Sequence, residues 1–312
     1  MQSTSSKIFL GSLTSLAVMA STLVQAQELA TAPELEGGLT ASVGAILVTP
    51  SAATAAFART WNNNVETEQY VTPGYDVGID ASIGYVFANT ANSIELFYRN
   101  VSSSDTASAS GFNDQSETAQ LDATGHTGFE LNNFDLMISQ FLDIGTHMQV
   151  RFMAGASYVE IKGDETIEQV VTQPEQFGTH TTDINSEVKY TGWGPRLGID
   201  SRYDFGEEIA GFGIVAGGSI AYFLGDLDST STTIYTNSGM VIPEPNETQI
   251  SDQDNQTVLN LRGNVGVDYV YFFDNEESST LGLELGYLVD YYNIDSDTTT
   301  FTGPYVNLKG VF

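Results

Sequence analysis

The sequence has 312 residues, a formal net charge of −30, no cysteine, and 30 glycines beside 15 tyrosines and 17 phenylalanines. So acidic a chain repels nucleic acid and anionic membrane surfaces, and we expect neither as a direct ligand. The lack of cysteine excludes a disulfide framework, thiol catalysis and cysteine-based zinc sites. The many aromatic residues and glycines are typical of an all-β chain with many turns.

Residues 1–26 predict a cleaved export signal. Lys7 provides the positive charge, Ile8 to Ala20 form a short apolar stretch, and Val24-Gln25-Ala26 fits a cleavage site. The stretch is about 13 residues long, too short for a membrane-spanning helix of roughly 20. Because residues 1–26 contain no acid, removing Lys7 changes the formal charge from −30 to −31. We therefore expect a signal peptide followed by one mature domain, residues 27–312.

Ten segments of the mature chain alternate apolar and polar residues with a period of two, the pattern of β-strands. None contains a long uninterrupted apolar run, so we expect no membrane helix. The predicted strands are Gly38–Thr49, Asp76–Phe87, Ser93–Asn100, a weaker Phe134–Leu142, Met148–Tyr158, Pro195–Phe205, Phe212–Leu224, Leu259–Phe273, Leu281–Tyr291 and Pro304–Phe312.

The connections between these strands are alternately short and long. The short ones are 88–92, 143–147, 206–210 and 274–278, and the long ones are 50–75, 101–129, 159–189, 225–256 and 292–303. Short periplasmic turns that alternate with long extracellular loops are typical of outer-membrane barrels. The sequence therefore predicts a transmembrane antiparallel up-and-down β-barrel of about ten strands with five long extracellular loops. Eight or twelve strands would follow if the weak fourth strand were misread or if Ala52 to Arg59 paired.

Aromatic residues recur where the strands approach the predicted periplasmic turns. In an outer-membrane barrel, such residues form a girdle at the membrane interface. The predicted girdle comprises Tyr85, Phe87, Tyr203, Phe205, Tyr271, Phe273 and Phe312.

Charged residues fall on the strand face opposite the apolar one, which in a barrel is the lumen. The predicted lumen residues are Asp80, Glu95, Arg99, Arg151, Arg196, Asp200, Arg202, Asp204, Arg262, Asp268, Glu284, Asp290 and Lys309. They could fill the lumen as a salt-bridged core, or they could line a narrow path that selects ions by charge. Inward glycines, among them Gly155 and Gly286, could leave room for such a path or could relieve strand curvature.

Three parts of the chain resemble the Legionella-type major outer membrane protein family of pore-forming barrels. They are Gly192–Ser201 followed by Gly211–Gly218, the opening Gly44–Pro50, and the terminal Leu308–Phe312. The resemblance extends over the strand positions of most of the mature chain and little over the loops. It implies a porin-like or surface-exposed barrel of a Gram-negative bacterium. The family's abundant porin is held in disulfide-linked complexes, whereas this chain has no cysteine, so the resemblance implies a different assembly here.

From these features we predict a porin-like barrel of the bacterial outer membrane that forms a narrow, cation-leaning pore for passive diffusion of small ions or solutes. The alternative is a non-conducting structural or adhesive barrel whose loops contact host surfaces. Other expected partners are outer-membrane lipid and lipopolysaccharide, and the barrel-assembly machinery, which would bind the strand ending in Phe312. The histidines His126, His147 and His180 form no HExxH pair and GxSxG is absent, so we expect no enzymatic activity, cofactor or metal.

Overall fold

The structure, a computed structural model, describes residues 30–33, 35–51, 56–63, 65–113, 118–173, 178–206, 211–238, 246–273, 279–294 and 297–312. The predicted export signal, residues 1–26, lies outside the described residues. Within the described ranges, no helix is long and apolar enough to cross a membrane.

The described residues are almost entirely β-strand. The strands are β1 (Ala30–Thr31), β2 (Gly38–Ser51), β3 (Ala56–Asn62), β4 (Val65–Tyr70), β5 (Asp76–Val86), β6 (Asn92–Phe112), β7 (Gln120–Ile144), β8 (Met148–Gln173), β9 (Gly178–Asp204), β10 (Gly211–Asn237), β11 (Glu247–Phe272), β12 (Thr280–Ile294) and β13 (Asp297–Val311).

Ten of these strands form a closed antiparallel barrel. Their order around the ring is β7, β8, β9, β10, β11, β12, β13, β2, β5 and β6, and the pairing of β6 with β7 closes it. The last strand pairs with the first barrel strand, β2, from Val311 opposite Thr40 to Thr300 opposite Ser51. The prediction of a ten-stranded antiparallel barrel is confirmed.

The strands alternate a buried inner face with an exposed apolar outer face, as the sequence pattern predicted. On β2, Leu39 and Val43 are 55% and 56% exposed, whereas Ile46 and Val48 are 1% and 0% exposed. A barrel in water would bear polar residues on its outside, so this apolar outer face fits a lipid environment.

The prediction of long loops was wrong for most of the residues concerned. The segments 101–129, 159–189 and 225–256 lie largely within β6 to β11, which have 21 to 27 residues each, and the weak fourth strand is part of the 25-residue β7. These segments are rich in Ser, Thr and acidic residues on both faces, so no apolar period marks them as strands. Backbone hydrogen bonds nevertheless continue the sheet, from Asn92–Gln140 to Phe112–Gln120 between β6 and β7.

The barrel wall consequently has two heights. At about 3.3 Å per residue and a tilt of about 45°, the 26 residues of β8 rise about 60 Å and the 11 residues of β5 about 26 Å. The apolar band of a membrane barrel is about 25 Å tall. We call residues 101–112, 120–131, 160–173, 178–191, 225–237 and 247–257 the sheet extension, the end that carries it the extended end, and the opposite end the turn end.

A hairpin of β3 and β4 packs against the sheet extension and forms a second small core. Phe57, Ala58 and Val71 are buried there against Leu121 and Ile167. The hairpin is joined to the sheet by the pairing of Trp61 with Phe112 and by the Gln169 side chain, whose Nε2 donates to the Phe57 carbonyl at 2.8 Å. Ala56 to Arg59 thus does pair, with β4, but it adds no strand to the barrel ring.

Candidate functional site: the barrel interior

All thirteen predicted lumen residues lie inside the barrel, and each takes part in at least one ion pair. Several of these pairs join strands that are not neighbours in the ring, such as Arg99 on β6 with Asp290 on β12. Only side chains that point into the lumen can make such contacts. These side chains point into the lumen, the direction that the parity of each strand indicates, and their roles in conduction remain predictions.

The centre of the lumen contains a neutral network of three arginines and three aspartates. Asp290 accepts hydrogen bonds from Arg99 Nη1 at 2.8 Å, Arg262 Nε at 3.1 Å and Asn260 Nδ2 at 2.6 Å. Arg99 also binds both oxygens of Asp80, at 2.6 and 2.8 Å. A carboxylate as buried as Asp290, which is 1% exposed, is stable in its charged form only because these donors surround it.

Asp135 completes the central network and was missed from the sequence. It lies 3.1 Å from Arg196 Nε and 3.4 Å from Arg262 Nη1, and it accepts hydrogen bonds from Asn133 and Ser157. Its strand segment was recognised only weakly. The outward Phe134 and Leu136 on either side of it nevertheless gave a parity signal that places Asp135 inward.

Towards the turn end, the lumen is more acidic. Arg151 pairs with Glu95 at 2.9 Å and with Asp200, and Arg202 pairs with Asp204 and Asp268, both at 2.7 Å. The Lys309 ammonium group contacts Glu284. Three cations thus face five carboxylates in this layer, which leaves a formal excess of two negative charges.

Towards the extended end, an apolar layer crosses the lumen. It takes side chains from nine of the ten barrel strands: Ile46, Val48, Val101, Leu131, Val159, Ile161, Tyr190, Ala221, Phe223, Val258, Leu288, Tyr292 and Phe301. Val48, Leu131, Val159, Phe223, Val258 and Tyr292 are 0% exposed, so water does not reach them. The tenth strand, β5, contributes Gly78, where an added Cβ would lie 2.9 Å from Val101.

The inward glycines allow close backbone approach. At Gly286 an added Cβ would lie 2.5 Å from the Val265 carbonyl oxygen, and at Gly155 it would overlap the Leu136 carbonyl oxygen. This geometry supports the interpretation that these glycines permit tight strand packing.

Two rows of aromatic residues ring the outer surface. The predicted girdle residues at the turn end all point outward, with exposures of 43% to 66%. At the extended end, Tyr98, Phe134, Tyr158 and Trp193 form a continuous row across β6 to β9, with ring centroids 4.6, 6.3 and 4.8 Å apart. Aromatic residues in such rows are typical of the two membrane interfaces.

Outside the lumen, ionisable groups are concentrated on the sheet extension and the hairpin. Burial raises the pKa of Glu165, which lies on the same face of β8 as the buried Ile161 and Ile167. On the hairpin, a hydrogen bond from Tyr70 and the charge of Arg59 lower the pKa of Glu68. His126 lies 2.9 Å from Thr106 Oγ1 and 3.7 Å from Asp164 on the outer face of the extension.

Comparison with solved structures finds outer-membrane proteins at low identity and low TM-score. The outer membrane protease OmpT from Escherichia coli is 13% identical, with a TM-score of 0.43 and coverage of 88% of this chain and 97% of that one. The CymD monoaromatic hydrocarbon channel is 8% identical, with a TM-score of 0.27 and coverage of 89% of each chain. The Pseudomonas putida toluene transporter TodX is 8% identical, with a TM-score of 0.22 and coverage of 88% and 89%. At these identities and TM-scores the likeness carries no argument about this chain.

No curated protein matches the sequence. Residues 31–312 match the family model described as Legionella pneumophila major outer membrane protein precursor. That match extends over every barrel strand, including the regions for which the sequence suggested this resemblance. The chain therefore belongs to the Legionella major outer membrane protein family, a family of the bacterial outer membrane.

Proposed function

We propose that the mature protein is a closed surface barrel, exported by the signal in residues 1–26, whose sheet extension stands outside the cell and contacts external partners. The observation that carries this proposal is the filled lumen. An apolar layer from nine strands lies directly beside a neutral ion-pair network, and six side chains of the layer are fully buried. An ion entering this layer would lose its hydration and find only the hydroxyl groups of Tyr190 and Tyr292 to replace it.

The energetics of the central network support the same proposal. Buried ion pairs are expensive to separate, because each partner would remain as an uncompensated charge at low dielectric. Asp290 holds Arg99 and Arg262, and Asp135 holds Arg196 and Arg262, so the arginines are connected to one another through shared carboxylates. A thermal fluctuation that frees one arginine must therefore break several contacts together.

A narrow, cation-leaning pore is the second candidate, favoured by the excess of two carboxylates in the turn-end layer. This excess of negative charge would attract cations, but their passage would require the central network and the apolar layer to rearrange. This candidate therefore implies a second conformation of the lumen.

We propose no enzymatic activity. The row of Thr106, His126 and Asp164 has the residue types of a catalytic triad. However, the side chains of His126 and Asp164 are 40% and 54% exposed on the open outer face of the sheet. A substrate there would have no enclosing walls to orient it or to exclude water.

Single-channel conductance of the refolded mature chain in planar bilayers tests the two candidates. The closed barrel predicts no steady current steps from protein that shows heat-modifiable electrophoretic mobility, the sign of a folded barrel. Steady steps whose reversal potential in a salt gradient shows cation preference would favour the pore. If the pore is correct, Glu284→Gln should reduce that preference, since it removes one of the two excess negative charges.

A further inference from the structure

The positive charges of the mature chain are distributed very unevenly. Without Lys7, nine of the ten basic residues remain, and six of them lie in the lumen. Arg59 lies on the β3–β4 hairpin and pairs with Glu66 and Glu68. The other two are Lys162 and Lys189, which lie on the outer surface of the barrel wall.

Lys162 and Lys189 are direct neighbours. They are register partners on the adjacent strands β8 and β9. Their outward direction follows from the strand alternation, since the adjacent Ile161 and Tyr190 are 5% and 1% exposed. The lysine side chains are 36% and 40% exposed.

The pair stands at a defined height above the extended-end aromatic row. Tyr158 and Trp193 are also register partners on β8 and β9, and each lies four residues from the corresponding lysine. Four residues of a strand tilted about 45° rise about 9 Å. If the aromatic row marks the membrane interface, the two ammonium groups lie about 9 Å farther from the hydrocarbon core, on its headgroup side.

The surrounding carboxylates leave much of the ammonium surface free to bind. Glu160 lies 2.9 Å from Lys162 Nζ and 3.4 Å from Lys189 Nζ, and Glu130 lies 3.7 Å from Lys162 Nζ. Two ammonium groups carry six N–H donors between them, which is more than these three contacts use. Glu160 lies between the two ammonium groups and offsets their mutual repulsion, and the N–H donors that Glu160 and Glu130 leave unused can contact an additional anion.

We propose that Lys162 and Lys189 together bind a phosphate group on the headgroup of an outer-leaflet glycolipid. The inference rests on the proposed orientation, in which the extended end faces outward. Two adjacent ammonium groups are suited to a phosphate because each acts as a compact point charge with several donors. Glu160 weakens the site, as do Glu130 and Asp228, the register partners of Lys162 and Lys189 on β7 and β10, so the affinity is moderate.

Binding of defined lipids to the refolded mature chain in detergent tests the proposal. The probes are lipid A with its phosphates and the same lipid after dephosphorylation, and native mass spectrometry measures the bound fraction. The double variant Lys162→Gln with Lys189→Gln should lower the affinity for the phosphorylated lipid about 10- to 30-fold. The control variant Arg59→Gln removes an exposed cation of the β3–β4 hairpin, which contacts neither lysine in the ion pairs described, and should leave the affinity unchanged.

The variant Glu160→Gln distinguishes a phosphate-binding site from a cluster of ion pairs that only stabilises the sheet. It removes the carboxylate that competes for both ammonium groups, so it should tighten binding of the phosphorylated lipid severalfold. Equal binding of both lipids, or an affinity that the double lysine variant leaves within twofold, would overturn the proposal. Conductance of the same samples reports separately on the lumen, and a conducting barrel would contradict the closed lumen without affecting this result.

Discussion

The lumen and the sheet extension are built from the same strands, yet different forces hold them. In the lumen, β6 to β11 and the four shorter barrel strands enclose buried charges that are compensated across the barrel, as in the contacts of Asp290 on β12 with Arg99 on β6 and Arg262 on β11. In the extension, β6 to β11 carry Ser, Thr and acidic residues, and apolar packing is concentrated where the hairpin residue Phe57 meets β7 and β8. The contrast indicates that ion pairs linked through shared carboxylates stabilise the lumen. The extension is stabilised mainly by the hydrogen bonds between the backbones of neighbouring strands.

The largest effect should come from breaking the lumen network. Asp290→Asn removes the charge that compensates Arg99 and Arg262, and loss of one partner of a buried pair typically lowers the free energy of unfolding by about 3–5 kcal/mol. Urea denaturation, monitored by the heat-modifiable electrophoretic mobility of the barrel, measures this change in the free energy of unfolding. The exposed Asp122→Asn on the extension is the matched control, and equal stability of the two variants would contradict the network's role.

A smaller, local effect should come from the hairpin. Phe57→Ala removes the aromatic ring at the centre of the second core, and such truncations cost about 3–5 kcal/mol, here towards the lower end because the hairpin is at an edge. We expect rapid proteolysis within residues 56–70 while the barrel stays folded.

The exposed Val65→Ala, on the same hairpin, serves as its control. If the Phe57→Ala variant lost the heat-modifiable electrophoretic mobility of a folded barrel, the hairpin and the barrel would fold as one unit. That result would contradict separate stabilisation of the lumen and the extension.

The smallest effect concerns pH. Because burial raises the pKa of Glu165, the folded chain holds this proton more tightly than the unfolded chain, so the stability of the extension increases as the pH falls through the raised pKa. Glu165→Gln should remove this dependence and stabilise the extension at neutral pH by about 0.5 kcal/mol or less.

Hydrogen exchange of the extension amides between pH 5 and 8 measures the effect of Glu165. Glu168→Gln, on the outer face, is the comparison. An identical pH profile in both variants would mean that Glu165 is not responsible.

The same contrast explains what the sequence could reveal. In the membrane band, lipid outside and charges inside give every strand a period of two, so the ten strands and the direction of residues such as Arg196 and Asp290 were predictable. Much of the extension is polar on both faces, and stretches such as Ser229 to Thr233 contain no such period. Of the hairpin, the sequence suggested only a pairing of Ala52 to Arg59, because β3 and β4 have 7 and 6 residues and are too short for a period of two to stand out.

The filling of the lumen could not be predicted from the sequence either. Which charges meet across a barrel depends on strand tilt and stagger, as in the contact of Arg262 on β11 with Asp135 on β7. The apolar layer was hidden because its members, such as Val159 and Phe223, lie next to outward apolar or aromatic residues and interrupt the expected polar inner face.

The most direct test of the closed lumen is thiol accessibility at the apolar layer, which is clean because the natural chain has no cysteine. Val159→Cys places a similar-sized side chain at a position that is 0% exposed, and Ser104→Cys provides an exposed control on the outer face of β6. We predict that a small charged thiol reagent labels the Ser104→Cys variant. The same reagent should not label the Val159→Cys variant, whichever side of the vesicle it is added to. Labelling at position 159 in folded protein would contradict a closed lumen and favour a water-filled pore.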